Sequence, residues 1–154
     1  VSTKAVRVIG IGSPFGGDRA GWDVAEALDR RPPPGVALRS VLCRAPAAEL
    51  AAQLRGAGLA VMIDAVQDGR EPGTVSTLDA AALRTARRLS GHGVGVAEVL
   101  ALLAALEELP SSPHLLSVSV ADDGRRLGAV ELERAVAAAR RQLQCIVTAA
   151  PPAP

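Results

Sequence analysis

Between residues 58 and 66 the chain reads GLAVMIDAV, an apolar run with a single carboxylate and no alternation of apolar and polar positions. A strand with one wet face alternates. An unbroken run is buried on both faces, and that happens where helices cover a mainly parallel sheet from above and below. Residues 4–11 (KAVRVIGI) and 115–120 (LLSVSV) read as further buried strands, and residues 36–43 as a weaker one. Residues 74–78 form a short strand, expected antiparallel because so little chain separates it from the run at 58–66. That central run is expected to end at Asp64.

Helical stretches lie between the strands. Residues 20–30 carry Trp22, Ala25 and Leu28 at helical spacing, and RPPPG at 31–35 stops them, since proline cannot continue a helix. Residues 46–55 open with Pro46 in the first turn, and residues 79–89 and 131–143 are also expected to be helical. Residues 94–109 carry the clearest stripe, Val96, Val99, Leu100, Leu103 and Leu106, with Pro110 just beyond. Alternating strands and helices predict an α/β fold: a three-layer αβα sandwich around a mainly parallel twisted sheet with one antiparallel strand. A single domain over residues 1–148 is expected, with residues 149–154 (AAPPAP) as a disordered tail. The aliphatic composition, with one Trp, one Phe and no Tyr among 154 residues, suits such layers.

The formal charge of +1 excludes a global field for nucleic acid or an anionic membrane. All basic residues but Lys4 are arginine, scattered along the chain. Cys43 and Cys145 stand far apart with no metal-binding or disulfide spacing, which fits a reducing cytoplasm. No apolar run is long enough to span a bilayer.

In such a fold ligands bind beyond the carboxyl ends of the strands, and three features converge there. The first is the loop after the opening strand, IGIGSPFGGDRAGW at residues 9–22. Gly10, Gly12 and Gly16 fall one residue off the dinucleotide-binding spacing, and no acid follows the second strand to hold a ribose, which leaves nucleotide binding a distant reading. Asp18 in that loop either caps the following helix or faces the crevice. The second is Asp64, a carboxylate that is costly to desolvate unless a cation or a hydrogen bond meets it. The third is His92, between glycines ahead of the strongest helix, where a helix amino terminus favours the neutral, metal-binding ring. His114, in a polar turn, is assigned no role.

These segments together resemble the [NiFe]-hydrogenase maturation endopeptidases. IGIGSPFGGDRAGWDVAEAL is similar to that family's opening G-x-G-N-x-x-x-x-D-[DE]-x-x-G block, VMIDAVQDGREPGTV to its Asp-Ala segment, and SGHGVGVAEVLALLAAL to its S-x-H-x-x-x-x-x-x-L block. The resemblance implies a cytoplasmic enzyme that removes the C-terminal extension of a hydrogenase large-subunit precursor after nickel insertion. The substrate carries the nickel, and zinc or another divalent ion is a possible surrogate. Asp64 and His92 match the family's catalytic, metal-contacting acid and histidine. The other metal-contacting acid is the second of a tandem pair, and Arg19 stands there; Asp18 keeps the first position, and Ser13 replaces the usual asparagine. A guanidinium repels a dication. Either Asp18 turns inward as the missing metal ligand, or Asp64 and His92 act alone, or Arg19, with Ser13, binds an anionic group of the substrate. A member that binds the precursor or a peptide end without cutting is the alternative.

Overall fold

The computed structural model describes residues 4–78, 93–109 and 113–151. Five strands, β1 (Lys4–Ile11), β2 (Val36–Cys43), β3 (Ala60–Val66), β4 (Val75–Leu78) and β5 (Pro113–Ser119), form one sheet in the order β2-β1-β3-β5-β4. All neighbouring pairs are parallel except β4 with β5. The helices are α1 (Ala20–Arg30), α2 (Pro46–Leu54), α3 (Gly93–Ala105) and α4 (Ala129–Ala149), with a 3-10 turn at Gly16–Arg19 ahead of α1. The helix expected over residues 79–89 and the end of the tail, residues 152–154, lie outside the described residues, as does His92.

Strand parity divides the core into two layers. Val61, Ile63 and Ala65 of β3 join Val24, Ala25 and Leu28 of α1 and Ala135, Ala139 and Leu143 of α4 on one face. Ala60, Met62 and Val66 join Leu50 and Leu54 of α2 and Val96, Val99, Leu100 and Leu103 of α3 on the other. Every residue of β3 is buried, as its unbroken apolar run requires. The three-layer αβα arrangement is thus present, with β1 and β2 joined through α1 on one face, β5 entered from α3 on the other, and the strand order reversing between β1 and β3. A crevice opens at such a reversal, at the carboxyl ends of the strands.

Four expectations need correction. The last helix, expected over residues 131–143, runs from Ala129 to Ala149, so the first residue of the expected tail is helical. β3 runs on to Val66, because Asp64, Ala65 and Val66 pair with Ser117, Val118 and Ser119 of β5, so Asp64 lies inside the strand. β4 is antiparallel as expected, yet its partner is β5, which lies between β4 and β3. Leu106 is expected on the buried stripe of the helix at 94–109, but α3 ends at Ala105, and Leu106 is 52% exposed in the turn beyond. That turn is closed by bonds from Glu107 N–H to the Ala104 carbonyl and from Glu108 N–H to the Leu103 carbonyl, with Glu107 at φ 58°. This pairing is the Schellman motif, whose left-handed position suits glycine.

The helix α1 sits unusually close to the sheet, and two glycines permit it. A Cβ on Gly10 would lie 2.8 Å from the Gly21 carbonyl oxygen and 2.9 Å from the Ala25 Cβ. One on Gly21 would run into the carbonyl oxygens of Ile11 and Ile63. Both obstacles at Gly21 are backbone of the central strands, which cannot yield cheaply. Gly21→Ala is therefore expected to lose about 2 kcal/mol or more in urea unfolding, whereas Glu107→Gly, which relieves the left-handed residue, is expected to gain about 1 kcal/mol.

Candidate active site

The last paired residues of β1 and β3 are Gly10 and Ile63, so Asp64 is the first residue of β3 past its ladder with β1. Its side chain alternates with Met62 and Val66 and therefore points to the layer of α2 and α3. It is fully buried. One carboxylate oxygen, Oδ1, accepts from the Ala65 N–H at 2.9 Å. The other, Oδ2, is buried and has no partner among the described residues. Burial pushes the Asp64 carboxyl up to about 7, the Ala65 N–H bond works against this, and the charge of Asp18 adds to the rise. A half-satisfied carboxylate in an apolar wall is expensive. Such a group commonly marks a site poised for a cation or a proton.

Asp18 sits inside the 3-10 turn, and Arg19 holds the cap position of α1 without a side-chain capping bond. Asp18 is near enough for its charge to act on Asp64. It lies in the turn ahead of α1, and its charge raises the Asp64 carboxyl. Arg19 goes elsewhere. Its Nε donates to Asp23 Oδ1 at 2.9 Å, its Nη2 lies 3.6 Å from Glu26 Oε2, and its guanidinium lies 5.8 Å from the Trp22 ring. Asp23 is itself buried and also accepts from Arg126 at 2.8 and 3.1 Å, tying α1 to the segment before α4. Ser13 Oγ accepts from the Phe15 N–H at 3.5 Å within the loop.

The glycines of this loop make room for the protein's own backbone. A Cβ on Gly12 would strike the Asp18 carbonyl oxygen, and Gly16 and Gly17 pack on Gly124 and Arg125. The Gly17 N–H donates to the Gly124 carbonyl at 2.8 Å. Close packing of the protein's own backbone thus gives the spacing of Gly10, Gly12 and Gly16 a structural cause.

Two neighbours of Asp64 are not singled out by the sequence. Ser117 and Ser119 pair with Asp64 and Val66, are buried, and point to the same face of the sheet. Ser119 Oγ has no partner among the described residues. Their one signal lies in LLSVSV, where serines alternate with valines in a strand otherwise apolar on both sides. Cys43 also faces this layer, but burial first, then Glu49 and Asp64, push its thiol up to about 12, so it stays protonated. Half-buried His114 lies at the amino end of β5, at the other end of the sheet. Among the described residues no group of three His, Cys, Asp or Glu side chains is placed to hold a metal. Asp18 and Asp64 are the two carboxylates among the sequence's candidates. The third candidate, His92, immediately precedes α3 in the sequence.

A family model for hydrogenase maturation proteases matches residues 46–149, about two-thirds of the chain. The match includes positions 64 and 92 and excludes 13, 18 and 19. No curated protein sequence matches the chain. Among solved structures, the hydrogenase maturating endopeptidase HybD from E. coli is 22% identical, with a TM-score of 0.70 over 94% of this chain and 93% of that one. The [NiFe] hydrogenase maturation protease HybD from Thermococcus kodakarensis is 23% identical, with a TM-score of 0.68 over 92% and 98%. HycI from Thermococcus kodakarensis KOD1 is 24% identical, with a TM-score of 0.61 over 93% and 92%.

The carboxyl of Asp64 has a folded-state value near 7 against 3.8 for the free group, so between these limits the folded chain holds a proton that the unfolded chain releases. Its contribution to stability is therefore greatest below about pH 4 and is lost as pH rises through 7. Asp64→Asn is expected to remove that slope from a pH series of urea melts. At pH 8 the variant should be more stable than the wild type by roughly 2–4 kcal/mol, since each tenfold change in proton affinity is worth about 1.4 kcal/mol.

Proposed function

We propose that this chain, which belongs to the hydrogenase maturation protease family, removes the C-terminal extension of a [NiFe]-hydrogenase large subunit once nickel is in place. The observation that carries the reading is the fully buried oxygen of Asp64, without a partner among the described residues, at the carboxyl end of the central strands. A carboxylate so placed has its natural partner in a cation that arrives from outside, and nickel held in the precursor is such a cation. Asp18, whose field already reaches Asp64, takes the place of the family's second acid, and His92 is the third ligand. Two oxygens and one imidazole nitrogen suit nickel, with zinc as a surrogate. Arg19, engaged by Asp23 and Glu26, does not oppose the ion, and its pairing leaves it less free to receive a substrate carboxylate.

The chemistry asked of the site is hydrolysis of one amide. Water adds to the scissile carbonyl, the C–N bond breaks, the large subunit keeps a new carboxylate and the extension leaves as an amine. Cys43, the cysteine that faces this layer, is no nucleophile, because its thiol is held protonated. Polarisation of the carbonyl or the water by the substrate's metal is the available means. A reducing cytoplasm, which suits the two free cysteines, is the compartment this reading assigns to the reaction. Among the described residues no helix is long and apolar enough to cross a membrane.

A second reading, a member that binds the precursor without cutting it, is favoured by one observation: Arg19, paired with Asp23 and Glu26, stands where the family resemblance puts a metal-contacting acid. Intact-mass measurement separates the two. Nickel-loaded precursor incubated with the wild type is expected to lose the mass of its extension, nickel-free precursor to stay whole, and Asp64→Ala or His92→Ala to slow the loss by about 100-fold or more. Bound but uncut nickel-loaded precursor would establish the second reading instead.

A further inference from the structure

Three buried side-chain oxygens lack a hydrogen-bond partner among the described residues, and two of them, Asp64 Oδ2 and Ser119 Oγ, belong to neighbouring strands. The third, Gln53 Oε1, is part of an amide whose nitrogen already donates to the Leu42 carbonyl at 3.2 Å. Ser119 follows Leu115 and Ser117 on the side of β5 that faces α2 and α3, whereas Leu116 and Val118 pack in the opposite layer. Asp64 faces the same way. Ser119 is also the last residue of β5, at the carboxyl end of the sheet, where ligands bind in such folds.

The backbone of Ser119 is fixed. Its N–H donates to the Thr74 carbonyl and its carbonyl accepts from the Gly73 N–H, each at 2.8 Å, and the next residue, Val120, donates to the Val66 carbonyl at 2.9 Å. Only the hydroxyl is left over. An unpaired hydroxyl in so apolar a layer costs free energy that alanine at the same position would not. Ser117, the register partner of Asp64, differs in this respect: its Oγ donates to the Ser76 carbonyl at 3.4 Å.

The two unpaired atoms do not satisfy each other. Ser119 stands one strand over and two residues along from Asp64, which sets their Cα atoms about 8 Å apart. A guest between them has to offer a cation or a proton to the carboxylate and an acceptor to the hydroxyl. A peptide carbonyl oxygen beside a metal ion offers both. A single trapped water offers both as well, but it would make the hydroxyl a structural group, and the two cases differ in what removal of the hydroxyl does.

We propose that Ser119 is a substrate-binding residue, its hydroxyl donating to a backbone carbonyl oxygen of the precursor's C-terminal segment while Asp64 faces the metal. The inference rests on the reading of this crevice as the place where that segment enters, and it adds a contact to the peptide itself rather than to the ion.

Steady-state cleavage of nickel-loaded precursor, followed by mass, and thermal melts of the free protein test it. The variants are Ser119→Ala, Ser119→Cys, which puts a weak donor in place of the hydroxyl, and Ser117→Ala for comparison. Ser119→Ala is expected to raise KM about tenfold with kcat within twofold, the pattern of a lost ground-state contact. Ser119→Cys should raise KM less, and neither variant should melt below the wild type, since the group removed has no partner to lose. Ser117→Ala, by contrast, is expected to melt lower and to keep its KM. A KM within twofold of the wild type for Ser119→Ala overturns the inference, as does a melt several degrees lower in both Ser119 variants, the mark of a structural hydroxyl. Should the wild type bind the precursor without cutting it, the Kd takes the place of KM. A tenfold weaker Kd for Ser119→Ala then keeps the contact and sinks the peptidase reading, and an unchanged Kd sinks both; cleavage with an unchanged KM sinks the contact alone.

Discussion

The close seat of α1 on the central strands is the constraint from which the rest of the site follows. With Gly10 and Gly21 facing each other, the helix backbone lies against the carbonyls of Ile11 and Ile63, closer than any side chain would allow. The chain must reach that seat within a few residues of β1. It does so through a tight loop in which Gly12 clears the Asp18 carbonyl and Gly16 and Gly17 pack on the segment at 124 and 125. The loop therefore cannot drift, and Asp18 is held where its charge acts on Asp64. Packing in one layer of the molecule thus sets electrostatics in the other.

Asp64 carries the cost of this arrangement. Its neighbours on β3 are all buried, its register partner Ser117 is buried, and one of its oxygens has no partner among the described residues. A protein selected for stability alone would place an apolar residue there, because an unmatched buried acid costs several kcal/mol or stays protonated. The two buried serines of β5, paired with Asp64 and Val66, carry no charge to neutralise the acid. Retaining an unfavourable group where a ligand can reward it is the usual trade between stability and activity.

Much of this is legible in the sequence, for identifiable reasons. The strands at 4–11 and 36–43 and the helix over 20–30 have the bounds expected of them, because apolar runs and proline stops act locally. The antiparallel sense of β4 is also as expected, but its neighbour is not, since strand order depends on contacts between distant segments. Leu106 misleads because helical spacing continues past the point where the Glu107 turn ends α3. At the site, Asp64 stands out as a charge in an apolar run, and the convergence of Asp18 follows from topology. Ser117 and Ser119 do not stand out, because serine in a strand carries no signal until the register shows what lies beside it. The role of Arg19 is likewise beyond reach, as its partners Asp23 and Glu26 emerge only when the helix faces are known. Position 92 lies outside the described residues, and its role comes from the family resemblance.

The account depends on Asp64 being a desolvated carboxylate under the influence of Asp18, and that property can be read at a single atom. Side-chain carbonyl carbon NMR of the metal-free protein, with Asp64 assigned through the Asp64→Asn variant, should show this carboxyl titrating near pH 7. A midpoint near 4, the value of a carboxylate open to water, would contradict the account and remove the ground for placing the reaction there.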